Sequence, residues 1–217
     1  MYKKVIILLV ALIVTQSKLG IDVSQPHSED VLKCFIKEGY SFIVTRAYKS
    51  YGAFDSNAIA TLANAKAAGM IDAGVYLFPC TGTAKSPQTQ VKEMIDGLHA
   101  STYNRIWIDV ETNSSPNCGW TKDHTFNCNF LKEVVAAVKS SGKEVGIYAS
   151  YYMWTSIMGA ASNCPDFTGV PLWYPHYDHV QSFADFQPFA NWKAPTVKQY
   201  AGTTSMCGGS VDLNFKN

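Results

Sequence analysis

Hydrophobic and polar positions along this chain switch repeatedly between two periods. Short runs that are apolar nearly throughout read as strands: Ile21 to Ser24, Phe42 to Tyr48, Gly74 to Phe78, Arg105 to Glu111 and Glu144 to Ala149. Longer stretches with apolar residues every three or four positions read as helices: Ser28 to Gly39, Asn57 to Ala68, Ser86 to Ala100 and Thr125 to Ser141. Gly39, Gly69 and Gly142 fall where helices stop, and Pro87 falls at a tolerated first-turn position. Strand and helix alternate about every 30 residues, the signature of βαβ units and a parallel sheet. Strands that are apolar on both faces fit a sheet covered on both sides.

After residue 150 the pattern changes. Pro171 to Tyr174, Val197 to Ala201 and Val211 to Phe215 read as strands with no strong amphipathic helix between them. Eight strands with helices only in the first part predict an α/β barrel whose last third has lost its helices. No repeat, low-complexity tract or linker divides it, so residues 18–217 are expected to form one domain.

The first residues follow neither period. Met1-Tyr2-Lys3-Lys4 precedes an unbroken apolar run from Val5 to Val14, with small residues at Thr15 and Ser17. A basic start, a short apolar core and small residues predict a signal peptide over 1–17, cleaved after Ser17. The run is too short to span a bilayer comfortably, and no other segment is apolar enough to cross one. The expected destination is outside the cell or a lysosome-like, phagocytic granule. Loss of Lys3 and Lys4 takes the net charge from +1 to −1. That balance gives no electrostatic basis for binding nucleic acid or anionic lipid.

Six cysteines, Cys34, Cys80, Cys118, Cys128, Cys164 and Cys207, all follow the signal segment. An even number in a secreted chain predicts disulfides, and the absence of C-x-x-C removes the usual zinc and redox spacings. Sequence leaves the pairing open; Cys118 with Cys128 is the most local choice. Asn113-Ser114-Ser115 is a glycosylation sequon, followed by Pro116.

The chemistry concentrates at strand ends. Arg105-Ile106-Trp107-Ile108-Asp109-Val110-Glu111 closes a strand with two carboxylates spaced i, i+2. Strand side chains alternate, so Asp109 and Glu111 share a face with Cα atoms about 6.5 Å apart. Two buried neighbouring charges are costly. Active sites of parallel α/β barrels lie at the C-terminal ends of the strands. Asp22 on the first strand and Asp212 on the last become neighbours once the barrel closes. Four converging acids suit glycosidic bond cleavage, in which one carboxylic acid protonates the leaving oxygen and an anion stabilises the sugar cation. Aromatic residues Tyr48, Tyr76, Phe78, Tyr148, Trp173, Tyr174 and Tyr200 gather at the same strand ends, and flat rings suit sugars.

Gly20-Ile21-Asp22-Val23-Ser24, Gly74 to Phe78, Ile108 to Glu111, Gly146-Ile147-Tyr148, Leu172-Trp173 and Val211-Asp212-Leu213-Asn214 occur here in an order that resembles glycoside hydrolase family 25, the Chalaropsis-type lysozymes or N-acetylmuramidases. The likeness spans about residues 20–215 and is nearest in form to secreted lysozymes of protists and nematodes. It implies a flattened, TIM-like (β/α)5(β)3 barrel and an antibacterial or digestive muramidase acting on peptidoglycan as a monomer without cofactor. It implies Glu111 as general acid and then base. Asp109 would act either as a nucleophile or by steering the substrate's 2-acetamido group, with Asp22 and Asp212 completing the acidic cluster. Tyr148 and Trp173 would line the sugar site, together with Tyr76, Phe78 and Tyr200. Bacterial and phage members often carry Lys near the position of Arg46. The guanidinium fork would contact substrate differently, or else serve as a structural partner of the acids.

Two rivals are a chitinase-like hydrolase and a catalytically dead sugar-binding barrel. The chitinase motif places Asp four and seven residues before its Glu, where this chain has Trp107 and Asn104. A dead barrel would normally lack Asp109 or Glu111. His176 and His179 are three apart but lie in a Pro- and Tyr-rich segment without helical pattern, so no metal site is expected there.

Overall fold

A computed structural model describes residues 17–160, 164 and 167–217. Apart from Ser17, the expected signal peptide lies outside the described residues. The element order is β1 (Lys18–Val23), α1 (Glu29–Lys37), β2 (Tyr40–Lys49), β3 (Ala53–Phe54), α2 (Asn57–Ala68), β4 (Asp72–Leu77), α3 (Pro87–Leu98), β5 (Arg105–Asp109), α4 (His124–Ser140), β6 (Glu144–Tyr148), α5 (Tyr151–Met158), β7 (Leu172–Pro175), β8 (Val197–Met206) and β9 (Gly209–Lys216). The sheet runs β1-β9-β8-β7-β6-β5-β4-β2, and β1 also pairs with β2, so eight strands close into a barrel. The two-residue β3 hangs on the edge of β2.

Caps explain where the helices begin. Ser28, Ser86 and Ser150 each accept a backbone N–H from the first turn of α1, α3 and α5, and Asp123 accepts two at the start of α4. Gly69 ends α2 in the left-handed region that disfavours a side chain (φ +97°).

Two features depart from the hydrophobic pattern. The sheet is not wholly parallel, because β9 runs antiparallel to both β1 and β8. A fifth helix, α5, follows β6, as the (β/α)5(β)3 barrel implied by the resemblance requires but the hydrophobic periodicity did not show; with eight residues and the run Tyr151-Tyr152-Met153-Trp154, it is too short and too uniformly apolar to show a helical stripe. Beyond it the strands do follow one another without helices among the described residues.

The core has two layers. Helices cover the outer face of the strands through Leu32, Phe35, Leu62, Met94, Leu131 and Val134. Inside, Phe42, Val44, Trp107, Tyr148, Trp173 and Val197 fill the barrel, with Tyr76 against them. Glycines make room for the large inward rings: a Cβ on Gly146 would meet the Trp107 ring at 2.3 Å, and one on Gly20 the Phe42 ring at 2.3 Å.

Three disulfides, Cys34–Cys207, Cys80–Cys118 and Cys128–Cys164, replace the local Cys118–Cys128 pairing. The second ties the loop after β4 to the loop after β5, which carries Glu111. The sequon asparagine lies in that same loop. Asn113 is buried, donates to the carbonyls of Ser50 and Pro79 at 2.7 and 3.0 Å, and accepts from Ser115 N–H. In the folded protein its amide has no room for a glycan. No helix among the described residues is long and apolar enough to cross a membrane.

Candidate active site

β1 and β5 run in the same direction and end at one rim of the barrel, bringing Asp22 and Asp109 there. Because β9 runs the other way, its early residues reach the same rim, and Asp212 pairs directly opposite Asp22. Strand β5 ends at Asp109, but the Val110 N–H still bonds the Tyr148 carbonyl at 2.8 Å. That extra extended residue keeps Glu111 on the face of Asp109. The Trp120 indole N–H then holds the Glu111 carbonyl at 2.9 Å.

Asp22, Asp109, Glu111 and Asp212 line one cavity of about 150 Å³ with Tyr76, Tyr148, Trp173, Tyr177 and Gln199. Asp22 and Asp109 are buried, and Glu111 is half-buried. Among the described residues, no lysine, arginine or histidine lines the cavity.

Amide groups support Asp22 instead. Its Oδ2 accepts Gln199 Nε2 at 2.8 Å and Asn214 Nδ2 at 2.7 Å. Trp173 Nε1 donates to Asn214 Oδ1 at 2.8 Å and fixes that amide. Gln199 reaches Asp212 Oδ2 at 3.4 Å, while its Oε1 accepts the hydroxyls of Tyr148 at 2.7 Å and Tyr177 at 2.8 Å. Asp109 has less help: its buried Oδ1 has no hydrogen-bond partner among the described residues.

Without a cation, burial dominates the electrostatics. It raises the Asp22 carboxyl, with the Asp212 charge adding to it, to about 7 despite the two amide bonds. Asp109 is pushed well above the usual carboxylate range by burial and then by Glu111 and Asp22. Glu111 is raised by burial and by Asp212, and Asp212 is raised by burial against a bond from Thr203 N–H. A buried set of mutually repelling acids holds protons at pH values where free carboxyls have lost them, as general acid catalysis needs.

A family model described as "Lysozyme-like protein 1" matches residues 14–200. "Lysozyme-like protein 5" of Caenorhabditis elegans is 37% identical over 216 residues, 96% of either chain. "Probable GH family 25 lysozyme 2" of Dictyostelium discoideum is 36% identical over 90% of this chain and 89% of its own. The chain belongs to glycoside hydrolase family 25. Among solved structures, the bacterial lysozyme from Streptomyces coelicolor shares the fold at TM-score 0.74 and 23% identity, covering 94% of this chain and 93% of that one. A family 25 lysozyme from Aspergillus fumigatus does so at 0.71 and 19%, covering 93% and 94%.

Within this family 25 glycoside hydrolase, the cavity unites seven of the ten residues assigned from sequence to catalysis or sugar contact: Asp22, Tyr76, Asp109, Glu111, Tyr148, Trp173 and Asp212. Arg46, Phe78 and Tyr200 lie outside its lining. Arg46 pairs through Nε with the buried Asp55 at 2.8 Å and donates to the Ser24 carbonyl at 3.1 Å, so its partner is structural and is not the acid cluster. Tyr200 packs in the outer core with its hydroxyl on that of Tyr40 at 3.5 Å. Phe78 is half-buried. Gln199 and Tyr177 escaped the sequence reading. Alternation along β8 explains the miss: a Tyr200 placed at the sugar site turns Gln199 outward, whereas the structure has the two reversed.

His176, Asp178 and Asp185 bring potential ligand atoms within 4.8 Å of one another. An ammonium already serves these acids, because Lys198 Nζ lies 2.7 Å from Asp178 and 2.9 Å from Asp185.

Proposed function

We propose that this glycoside hydrolase cleaves the β-1,4 bond between N-acetylmuramic acid and N-acetylglucosamine in bacterial peptidoglycan, with Glu111 as acid and base and Asp109 steering the substrate's 2-acetamido group. The observation that carries the division of roles is the unpaired, buried Oδ1 of Asp109 beside the more accessible Glu111. A buried acceptor without a donor costs about 1–3 kcal/mol, and a substrate amide N–H relieves it. Covalent attack would need a free carboxylate at Asp109, which burial and two neighbouring acids oppose. Accepting an N–H needs only an oxygen lone pair.

Glu111 gives its proton to the bridging oxygen as the bond from that oxygen to the sugar C1 breaks. The acetamido carbonyl oxygen bonds to C1, and Asp109 holds the amide N–H as positive charge spreads over the new ring. Water then bonds to C1 as the bond from C1 to the acetamido oxygen breaks. Its proton goes to Glu111, restoring the acid. Asp22 and Asp212 keep the site's charge and protons in balance, and Tyr76, Tyr148 and Trp173 form its walls.

Two further points support a secreted enzyme: the apolar start of the chain and three disulfides, which persist in oxidising compartments. Mass analysis of digested Gram-positive cell wall tests the bond assignment. New reducing ends should be N-acetylmuramic acid; reducing N-acetylglucosamine would overturn it.

A further inference from the structure

Tyr177 departs from the usual fate of an aromatic side chain in this molecule. The residue is 54% exposed, yet it is held on several sides. The hydroxyl donates to Gln199 in the acidic cavity at 2.8 Å. The ring lies close on Gly202, where a Cβ would come within 3.1 Å of it. The backbone on either side is tied to β8, His176 N–H to the Gln199 carbonyl and His179 N–H to the Tyr200 carbonyl.

The next residue carries the strongest tie. Asp178 accepts from Lys198 Nζ, and the same ammonium holds Asp185 and, at 3.1 Å, the Ser182 carbonyl. Lys198 is fully buried, so this charge has no solvent to fall back on. Asp185 also accepts from the Tyr174 hydroxyl and His176 Nδ1. The segment after β7 is thus clasped to the outer face of β8 by Lys198, while Tyr177 reaches round to Gln199, the adjacent residue on the inner face.

We propose that Tyr177 is a glycan-binding platform at the edge of the cavity, and that Lys198 is a positioning residue acting through Asp178 to hold it there. A rigid, half-exposed ring anchored by its hydroxyl presents a flat face without further ordering when a sugar arrives. The inference rests on the reading of the cavity as the site of hydrolysis.

A double-mutant cycle on kcat and KM with soluble peptidoglycan fragments tests it, using Tyr177→Ala, Lys198→Met and the double variant. Each single change should raise KM roughly tenfold, the scale of one substrate contact, with a smaller effect on kcat. The double variant should be no worse than either one. Additive losses, or an unchanged KM in a less stable Lys198→Met, would overturn the proposal. If Lys198→Met does not fold, Asp178→Asn enters the same cycle, since it keeps Lys198 paired with Asp185. Glu111→Gln is measured alongside: full turnover by that variant overturns the underlying reading of the cavity, whatever the cycle gives.

Discussion

Adjacent residues on β8 separate two acidic clusters that the protein treats in opposite ways. On the outer face Lys198 places an ammonium between Asp178 and Asp185; burial alone would raise both carboxyls, and the lysine holds both below their ordinary value. On the inner face Gln199 offers only an amide to Asp22 and Asp212, and every acid there is raised. The fold can neutralise half-buried carboxylates and does so one residue away. Withholding a cation from the cavity leaves stability unrealised, and in exchange the inner acids keep protons that a lysine would displace.

The largest expected effect breaks the inner cluster. Glu111→Gln should lower turbidity loss of a Gram-positive cell-wall suspension by about 10²–10⁴-fold, the usual share of a general acid. Its melting temperature should hold or rise, because the change removes one of several repelling groups. Near-normal lysis would remove Glu111 from the chemistry.

The outer cluster should answer in the other currency. Lys198→Met leaves two acids without their ammonium and should cost about 3–5 kcal/mol in chemical denaturation. For a chain of this length each kcal/mol lowers the melting temperature by about 2–4 °C. A loss near zero would mean that Asp178 and Asp185 are satisfied by solvent, and the contrast across β8 would collapse.

The inner cluster was legible in sequence and the outer one was not, for a physical reason. Asp22, Asp109 and Asp212 sit on strands and Glu111 two residues beyond Asp109, where alternation and the rim of a barrel decide where a side chain goes. Asp178 and Asp185 lie in the segment between β7 and β8, whose path no period describes. Lys198 lies within the strand read over Val197 to Ala201 and drew no separate reading, although a buried lysine demands partners. The aromatic group divides similarly: Tyr148 and Trp173 turn inward, whereas the hydroxyls of Tyr48 and Tyr174 go to Glu93 and Asp185 outside the cavity. Strand ends told where these rings cluster but not which face each takes. Arg46 shows the same limit, since Asp55, its partner, follows the short β3 hairpin that gave no signal.

A smaller effect sharpens the account of the inner acids. Asp22 titrates near pH 7 when folded and near its ordinary 3.8 when unfolded, so the folded state holds the extra proton between those values. Stability therefore falls as pH rises through that window, and the cost is fully present above it. Asp22→Asn carries no such proton, and its carbonyl can still accept from Gln199 and Asn214. The variant should match the wild type near pH 4 and melt several degrees higher near pH 8. Parallel melting curves across pH would show that Asp22 is not strained by its burial.

The finest test concerns the neighbour that tunes Glu111. Burial comes first in raising this carboxyl, and the charge of Asp212 second. Asp212→Asn removes only the second cause, and an asparagine oxygen can still accept the Thr203 N–H. The acid limb of catalysis requires protonated Glu111, so kcat/KM should fall on the alkaline side where that proton is lost. In the variant this alkaline limb should move to lower pH while activity below it is largely kept. A limb that stays in place would leave burial as the sole cause. A limb that moves upward would mean that Asp212 stabilises the Glu111 anion, the opposite of charge repulsion between them.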